Sequence, residues 1–198
     1  AGGRIGYVLF YQAEYYLAHP LDILAVWQGG MSFHGGFLGV TVALVVFTAR
    51  RSRSLVAVAD LIACAAPLGL MLGRVANFVN GELFGRPSDV PWAVIFPAGG
   101  PDPRHPSQLY EAALEGALLF VIMGLLFRTT RLRAYTGALT GIFLIGYAAA
   151  RSTSELFREP DFHIGFLFGG TTMGQLLSLP MAVLGVYLIF RSRAQGPA

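Results

Sequence analysis

The stretch LGRVANFVNGELFG, residues 72–85, places Arg74, Asn77 and Asn80 at three-residue intervals and follows them with Gly81 and Glu82. On a helix this interval puts a guanidinium and two amides roughly on one face, and Gly81 weakens the helix just before the Glu82 carboxylate. Three other stretches carry similar groups. SFHGGFLG joins His34 to Gly35, Gly36 and Gly39, which permit close backbone approach beside the imidazole. RHPSQLYE contributes Arg104, His105, Gln108, Tyr110 and Glu111, with Glu115 four residues on, and GYAAARSTSELFREPD supplies Tyr147, Arg151, Glu155 and Arg158. A guanidinium fork binds oxygens in pairs and keeps its charge, so arginine clusters suit phosphate. Imidazole titrates where a proton carrier is useful.

These groups must be positioned by a greasy chain. It has 198 residues, 55% hydrophobic and 13% charged, with a mean hydropathy of +0.59. A soluble domain carries about 25% charged residues, so this depletion indicates a membrane protein. The single cysteine, Cys64, lies in an apolar run and reads as a small core residue; it provides neither a disulfide framework nor a cysteine metal site. All 14 basic residues are arginine, and the pI near 9.3 raises the question of nucleic acid. The N-terminal residues show no signal-peptide pattern. Ile5 to Tyr16 is an apolar stretch too short to cross a bilayer, and the natural N-terminus is expected to lie upstream.

Five spans of near-bilayer length follow, at about Met31–Ala49, Leu55–Gly73, Ser107–Phe127, Ala134–Ala150 and Gly170–Phe190. Arginine clusters lacking any acid follow the first (Arg50, Arg51, Arg53), the third (Arg128, Arg131, Arg133) and the last (Arg191, Arg193). If each span crosses once, all three clusters share one side, which the positive-inside rule makes cytoplasmic. The basic pI then reflects topology, and a nucleic-acid partner is not expected. The expected organisation is one all-α transmembrane domain over 1–198, a polytopic helical bundle with one partial and five full spans. Segments 17–30, 74–106 and 151–169 face outward, and basic loops 50–54, 128–133 and 191–198 face the cytoplasm.

On this map His34, Arg74, Arg104, His105 and Arg151 gather at the outer face. Ionisable groups in or beside spans usually face a protein interior or a wet cavity. Each also has a plainer reading. An outer arginine can snorkel to headgroups, and Glu111 and Glu115 can serve structurally by neutralising buried arginines. His19 and His163 read as solvated loop residues, and Tyr7, Tyr11, Tyr15 and Tyr16 as interfacial aromatics. Ser107 reads as a helix cap. GELFGRP (81–87) and SELFREP (154–160) echo each other, a hint of two similar outer corners on one cavity. The residues alone point to an outer-leaflet site for an anionic lipid headgroup.

The motif G-R-x-x-N-F-x-N-x-E-x-x-G, filled here by Gly73, Arg74, Asn77, Phe78, Asn80, Glu82 and Gly85, resembles the signature of the bacterial prolipoprotein diacylglyceryl transferases. GGRIGYVLFY, WQGGMSFHGG (27–36), RHPSQLYE (104–111) and ELFREPD (155–161) resemble further blocks of that family, in the family order. The resemblance implies a bacterial inner-membrane enzyme of seven transmembrane helices, of which the first and part of the second are not expected in this chain. It also implies a site toward the periplasm and no cofactor or metal. Such an enzyme moves the diacylglyceryl group of phosphatidylglycerol to the lipobox cysteine of a prolipoprotein signal peptide, forming a thioether and releasing glycerol 1-phosphate.

For that chemistry Arg74 and Arg151, which match family positions held essential, are the expected phosphate grip, and His34 is the expected base, with His105 second. Asn77, Asn80, Glu82 and Tyr147 suit binding of the headgroup, with Gly85 and Glu155 completing the lipid set; Arg104 and Arg158 are secondary. A non-catalytic anionic-lipid-binding protein and a secondary transporter are the alternatives. A transporter usually has a midplane site on repeated, broken helices. A serine protease built on Ser107 and His105 is disfavoured by the capping role of Ser107.

Overall fold

The computed structural model describes residues 1–160 and 165–196, and the expectation for His163 lies outside the described residues. Among the described residues it is an all-α membrane-type fold with seven α-helices: α1 (Gly2–Tyr11), α2 (Ala13–Ala18), α3 (Phe33–Arg50), α4 (Leu55–Val79), α5 (Ser107–Thr129), α6 (Ala138–Ser154) and α7 (Met173–Gln195). Three of them, α4, α5 and α7, are long and apolar enough to cross a bilayer. At 1.5 Å per residue they reach about 34–38 Å, against about 30 Å of hydrocarbon. The shorter α3 and α6 fall where the other two spans are expected. Large apolar side chains stay uncovered along α3 (Phe37, Val42, Phe47) and α7 (Leu179, Val183, Phe190), as lipid-facing surfaces do.

The chain divides into two compact units, Ala1–Val58 and Ala59–Ala198. In the first, α1 and α3 touch through glycine. A Cβ on Gly2 would lie 2.5 Å from the Gly35 carbonyl oxygen, and one on Gly6 2.7 Å from Gly35 Cα. Small residues one turn apart allow this backbone approach, which drives helix association where lipid supplies no hydrophobic gain. The room beside His34, expected to serve a ligand, is thus filled at Gly35 and Gly39 by α1; only Gly36 is open. Arg4 is buried, and its guanidinium donates to the carbonyls of Ile23 (3.0 Å), Gly29 (2.5 Å) and Asp22 (2.5 Å) while covering the Tyr16 ring. One side chain thereby closes the irregular segment between α2 and α3.

In the second unit, α6 and α7 cross at Gly141 and Gly185, where a Cβ on either would lie 2.6 or 2.7 Å from the other's carbonyl oxygen. Ala63, Leu119, Met123 and Leu139 form the buried core of α4, α5 and α6, and Cys64 packs against it as expected. Asp60 is buried on α4 and accepts from the backbone N–H groups of Gly137 and Thr140 and from the Thr140 hydroxyl, each at 2.7 Å. A carboxylate therefore caps α6 from another helix, satisfying N–H donors at the positive end of the helix dipole. The N-terminus of α7 is closed by a capping box between Thr172 and Gln175.

Candidate active site

Three helices deliver charge to one point in the second unit. Arg74 Nε on α4 lies 2.8 Å from Glu111 Oε2 on α5, and Arg151 Nη1 on α6 lies 3.1 Å from the same oxygen. Glu111 Oε1 accepts from Arg158 Nη1 at 3.2 Å. Glu115 lies 3.6 Å from Arg74 and 3.5 Å from Arg151, and Glu155, the residue just after α6, pairs with Arg151 one turn back. Three guanidinium groups thus face three carboxylates. Glu111 and Glu115 are wholly buried, and Arg74 and Arg151 keep 18% and 13% of their side chains exposed. The neutralising role expected for Glu111 and Glu115 is what the geometry gives.

The contacts of Arg74 are of one kind. They are ion pairs, and it makes no hydrogen bond among the described residues; Glu111 Oε2 and Glu115 Oε2 likewise lack an aligned donor. Arg74 is therefore held through Nε and Nη2, while Nη1 remains available to an oxyanion.

Local backbone features bring these groups together. Residues Ala112–Leu118 of α5 form a π-helical segment, a widened turn that often marks functional sites. It contains Glu115 and Gly116. A Cβ on Gly116 would lie 2.5 Å from Met71 Cβ, so glycine there lets α4 approach α5 one turn before Arg74. Gly174 serves similarly on α7, where a Cβ would collide with the Glu155 carboxylate.

Helix α4 continues through Val79, so Arg74 and Asn77 share it, and it ends in a Schellman turn: Glu82 N–H donates to Asn77 O and Gly81 N–H to Phe78 O, both 3.0 Å, with Gly81 at φ 67°. The Glu82 carboxylate accepts from the side-chain amides of Asn77 (2.8 Å) and Asn80 (3.3 Å). Gln108 donates to the Glu82 carbonyl at 2.7 Å and Ser107 to the Leu83 carbonyl at 3.3 Å. This corrects the reading of Ser107 as a cap: Pro106 holds the cap position, and the serine hydroxyl instead fixes the preceding turn.

The echoed segments 81–87 and 154–160 pair with each other. Gly85 bridges Arg158 antiparallel, with Arg86 N–H donating to Phe157 O at 2.9 Å and Glu159 N–H to Phe84 O at 3.5 Å. Arg86 fastens the pair by donating to the carbonyls of Arg158 (2.9 Å) and Glu155 (3.1 Å). Gly85 is buried, and a Cβ there would lie 2.5 Å from the Phe157 carbonyl oxygen. Arg104 pairs with Glu159 at 2.5 Å and crosses the Phe84 ring, away from the three-arginine cluster's partners. The Tyr110 hydroxyl accepts from Trp92 Nε1 at 2.6 Å and lies 3.0 Å from His105 Nδ1. Tyr147 packs against the core and stacks on Phe143. His34 is the second residue of α3, in the first unit.

The structure thus joins Arg74, Arg151, Glu155 and Arg158 in one network and groups Asn77, Asn80 and Glu82 in a second. Arg86 as the fastener and Asp60 as a cap are not among the sequence's candidates, and Glu111, expected only to neutralise buried arginines, is the partner that three of them share. Among the described residues, no cluster of His, Cys, Asp or Glu has the makings of a metal site.

Apolar helices of spanning length around a buried arginine–glutamate network define a multi-pass membrane protein with a polar site. The chain belongs to the prolipoprotein diacylglyceryl transferase family, whose model matches residues 1–191. It is 61% identical over 189 residues to the phosphatidylglycerol–prolipoprotein diacylglyceryl transferase of Paramagnetospirillum magneticum, covering 95% of this chain and 70% of that relative. The enzyme of the same name from Rhodospirillum rubrum is 58% identical over 197 residues, with 99% and 72% covered. That of Azospirillum brasilense is 56% identical over 199 residues, with 100% and 74% covered.

Proposed function

We infer that this chain is the enzyme that transfers a diacylglyceryl group from phosphatidylglycerol to a prolipoprotein, and that the Arg74–Glu111–Arg151 cluster grips the lipid phosphate as it leaves. The observation that carries the phosphate assignment is Arg74: oriented by two buried carboxylates through Nε and Nη2, with Nη1 in no ion pair or hydrogen bond among the described residues.

The acceptor is the lipobox cysteine. Its sulfur attacks the glycerol carbon that bears the phosphate ester; a C–S bond forms, the C–O bond breaks, glycerol 1-phosphate departs and the thiol proton is lost. Negative charge grows on the leaving phosphate, and guanidinium donors already in place stabilise it without reorganising. Glu111, Glu115 and Glu155 act as positioning residues that hold the guanidinium planes. Asn77, Asn80 and Glu82, tied to one another at the end of α4, bind the headgroup beside Arg74, with Gly85 shaping the turn and Tyr147 bordering the lipid. Arg104 and Arg158 brace this region. A cysteine thiol with a pKa of about 8.5 is only a few per cent ionised at neutral pH, so a base assists, and His34 is assigned that role on its chemistry. His105, whose Nδ1 already faces Tyr110, is second. The acid-free arginine clusters assign the basic loops to the cytoplasm and the site to the periplasmic side of the bacterial inner membrane, where signal peptides emerge.

The test is mass spectrometry of a lipobox peptide incubated with the purified protein and phosphatidylglycerol. The expected product is the peptide heavier by one diacylglyceryl group, stable to hydroxylamine as a thioether is. An unmodified peptide beside bound phosphatidylglycerol would overturn the assignment in favour of lipid binding alone.

A further inference from the structure

At the end of the second unit that carries the basic loops, a cavity of about 530 Å³ opens between α6 and α7. Its apolar walls are Leu132, Ala138, Ile142 and Ile189, one turn from the Gly141–Gly185 crossing, and Tyr135, Ser192 and Arg193 supply its polar lining. The volume lies within the roughly 300–1,000 Å³ of sites that enclose small organic ligands. Leu132 stands between Arg131 and Arg133, and Arg193 follows Arg191 by two residues.

The charge around this cavity is unbalanced. The guanidinium groups of Arg128, Arg131, Arg133, Arg191 and Arg193 have no hydrogen bond or ion pair among the described residues, in contrast to Arg74, Arg151 and Arg158, which pair with Glu111. From Gly116 to Ser154 and from Met173 to the C-terminus the sequence contains no acid. The carboxylate contributed to this end by α4, Asp60, is committed to three donors at the start of α6. An occupant must therefore bring its own negative charge, and the apolar walls require that it bring hydrocarbon too.

We propose that this cavity is a second lipid site, separate from the Arg74 cluster, that holds one anionic phospholipid from the leaflet at the basic end. Its phosphate sits against Arg193 and Tyr135, and the first part of an acyl chain lies between Ala138, Ile142 and Ile189. Basic pockets between transmembrane helices recognise anionic headgroups in this way, and the walls distinguish a lipid from free phosphate.

Native mass spectrometry of the detergent-purified protein, titrated with phosphatidic acid or phosphatidylcholine, tests the proposal. Wild type should retain one phosphatidic acid at concentrations where phosphatidylcholine is lost. Arg193→Gln, at an exposed position, should weaken that retention about fivefold, and Ala138→Leu should remove it by filling the wall. Arg74→Lys should leave it intact. Equal retention of the two lipids, or unchanged retention in both cavity variants, would reduce the lipid to a non-specific annulus and overturn the site. Loss of retention in Arg74→Lys, or displacement by millimolar inorganic phosphate, would also contradict it, by assigning the lipid to the transfer site or the pocket to a free anion.

Discussion

Arg74 and Arg151, on different helices, converge on a single oxygen: Glu111 Oε2 lies 2.8 Å from one and 3.1 Å from the other. A carboxylate shared in this way fixes the separation of two guanidinium groups and leaves Arg74 Nη1 unpaired among the described residues. Lysine keeps the charge but replaces the planar fork by a point. Arg74→Lys and Arg151→Lys should each lower transfer about 100-fold, the scale of a lost oxyanion donor, with melting in detergent little changed. Initial rates of glycerol phosphate release check this.

Removal of the shared carboxylate should act on the fold as well. Glu111→Gln removes the carboxylate that Arg74, Arg151 and Arg158 share and leaves three guanidinium groups to Glu115 and Glu155 alone, and breaking a buried ion network costs about 3–5 kcal/mol. Thermal unfolding should show Glu111→Gln far less stable than Arg74→Lys. Equal stability would mean that Glu111 is not the hub.

Asp60 offers a prediction about structure alone. Its carboxylate receives three donors from the start of α6, so Asp60→Ala should cost about 1–3 kcal/mol by leaving buried N–H groups without acceptors. Asp60→Asn keeps one acceptor oxygen and should fall between. Transfer per folded molecule should be unaltered, because Asp60 contacts none of the cluster.

Gly35 and Gly36 are neighbours with opposite expectations. A Cβ on Gly35 would meet Gly2 O at 2.5 Å and Gly6 Cα at 2.8 Å, whereas nothing lies within 4 Å of one on Gly36. Gly35→Ala should therefore destabilise by about 1–3 kcal/mol through overpacking. Gly36→Ala should be neutral or gain about 0.5–1 kcal/mol in helix propensity. Melting temperatures of the two variants decide.

His34→Gln should abolish most transfer at pH 7 and regain part of it at pH 9, where the acceptor thiol ionises without help. Full activity at pH 7 would remove His34 as the base.

What the sequence discloses depends on how local each feature is. Long apolar runs give the helices, because a bilayer-length segment needs only its own composition to be recognised. Their ends are less legible: α6 starts at Ala138 and α7 at Met173, where turn residues and a Thr172–Gln175 capping box override hydropathy. The three-residue spacing of Arg74, Asn77 and Asn80 is local and is realised on or just after α4. Asp60 and Gly137 are 77 residues apart, and Arg4 grips carbonyls 18 to 26 residues away; no spacing announces such partners. The glycines beside His34 show the same limit, since a glycine reveals close approach but not whether a ligand or another helix approaches. The π segment leaves no mark in composition, yet it positions Glu115 against both arginines.

The most direct measurement is the rate of glycerol 1-phosphate release from phosphatidylglycerol by the purified protein, with a lipobox peptide and with its Cys→Ser counterpart. Release that requires the cysteine and falls about 100-fold in Arg74→Lys is the predicted result. Release that ignores the peptide thiol, or that proceeds undiminished in Arg74→Lys, would contradict a phosphate grip centred on Arg74.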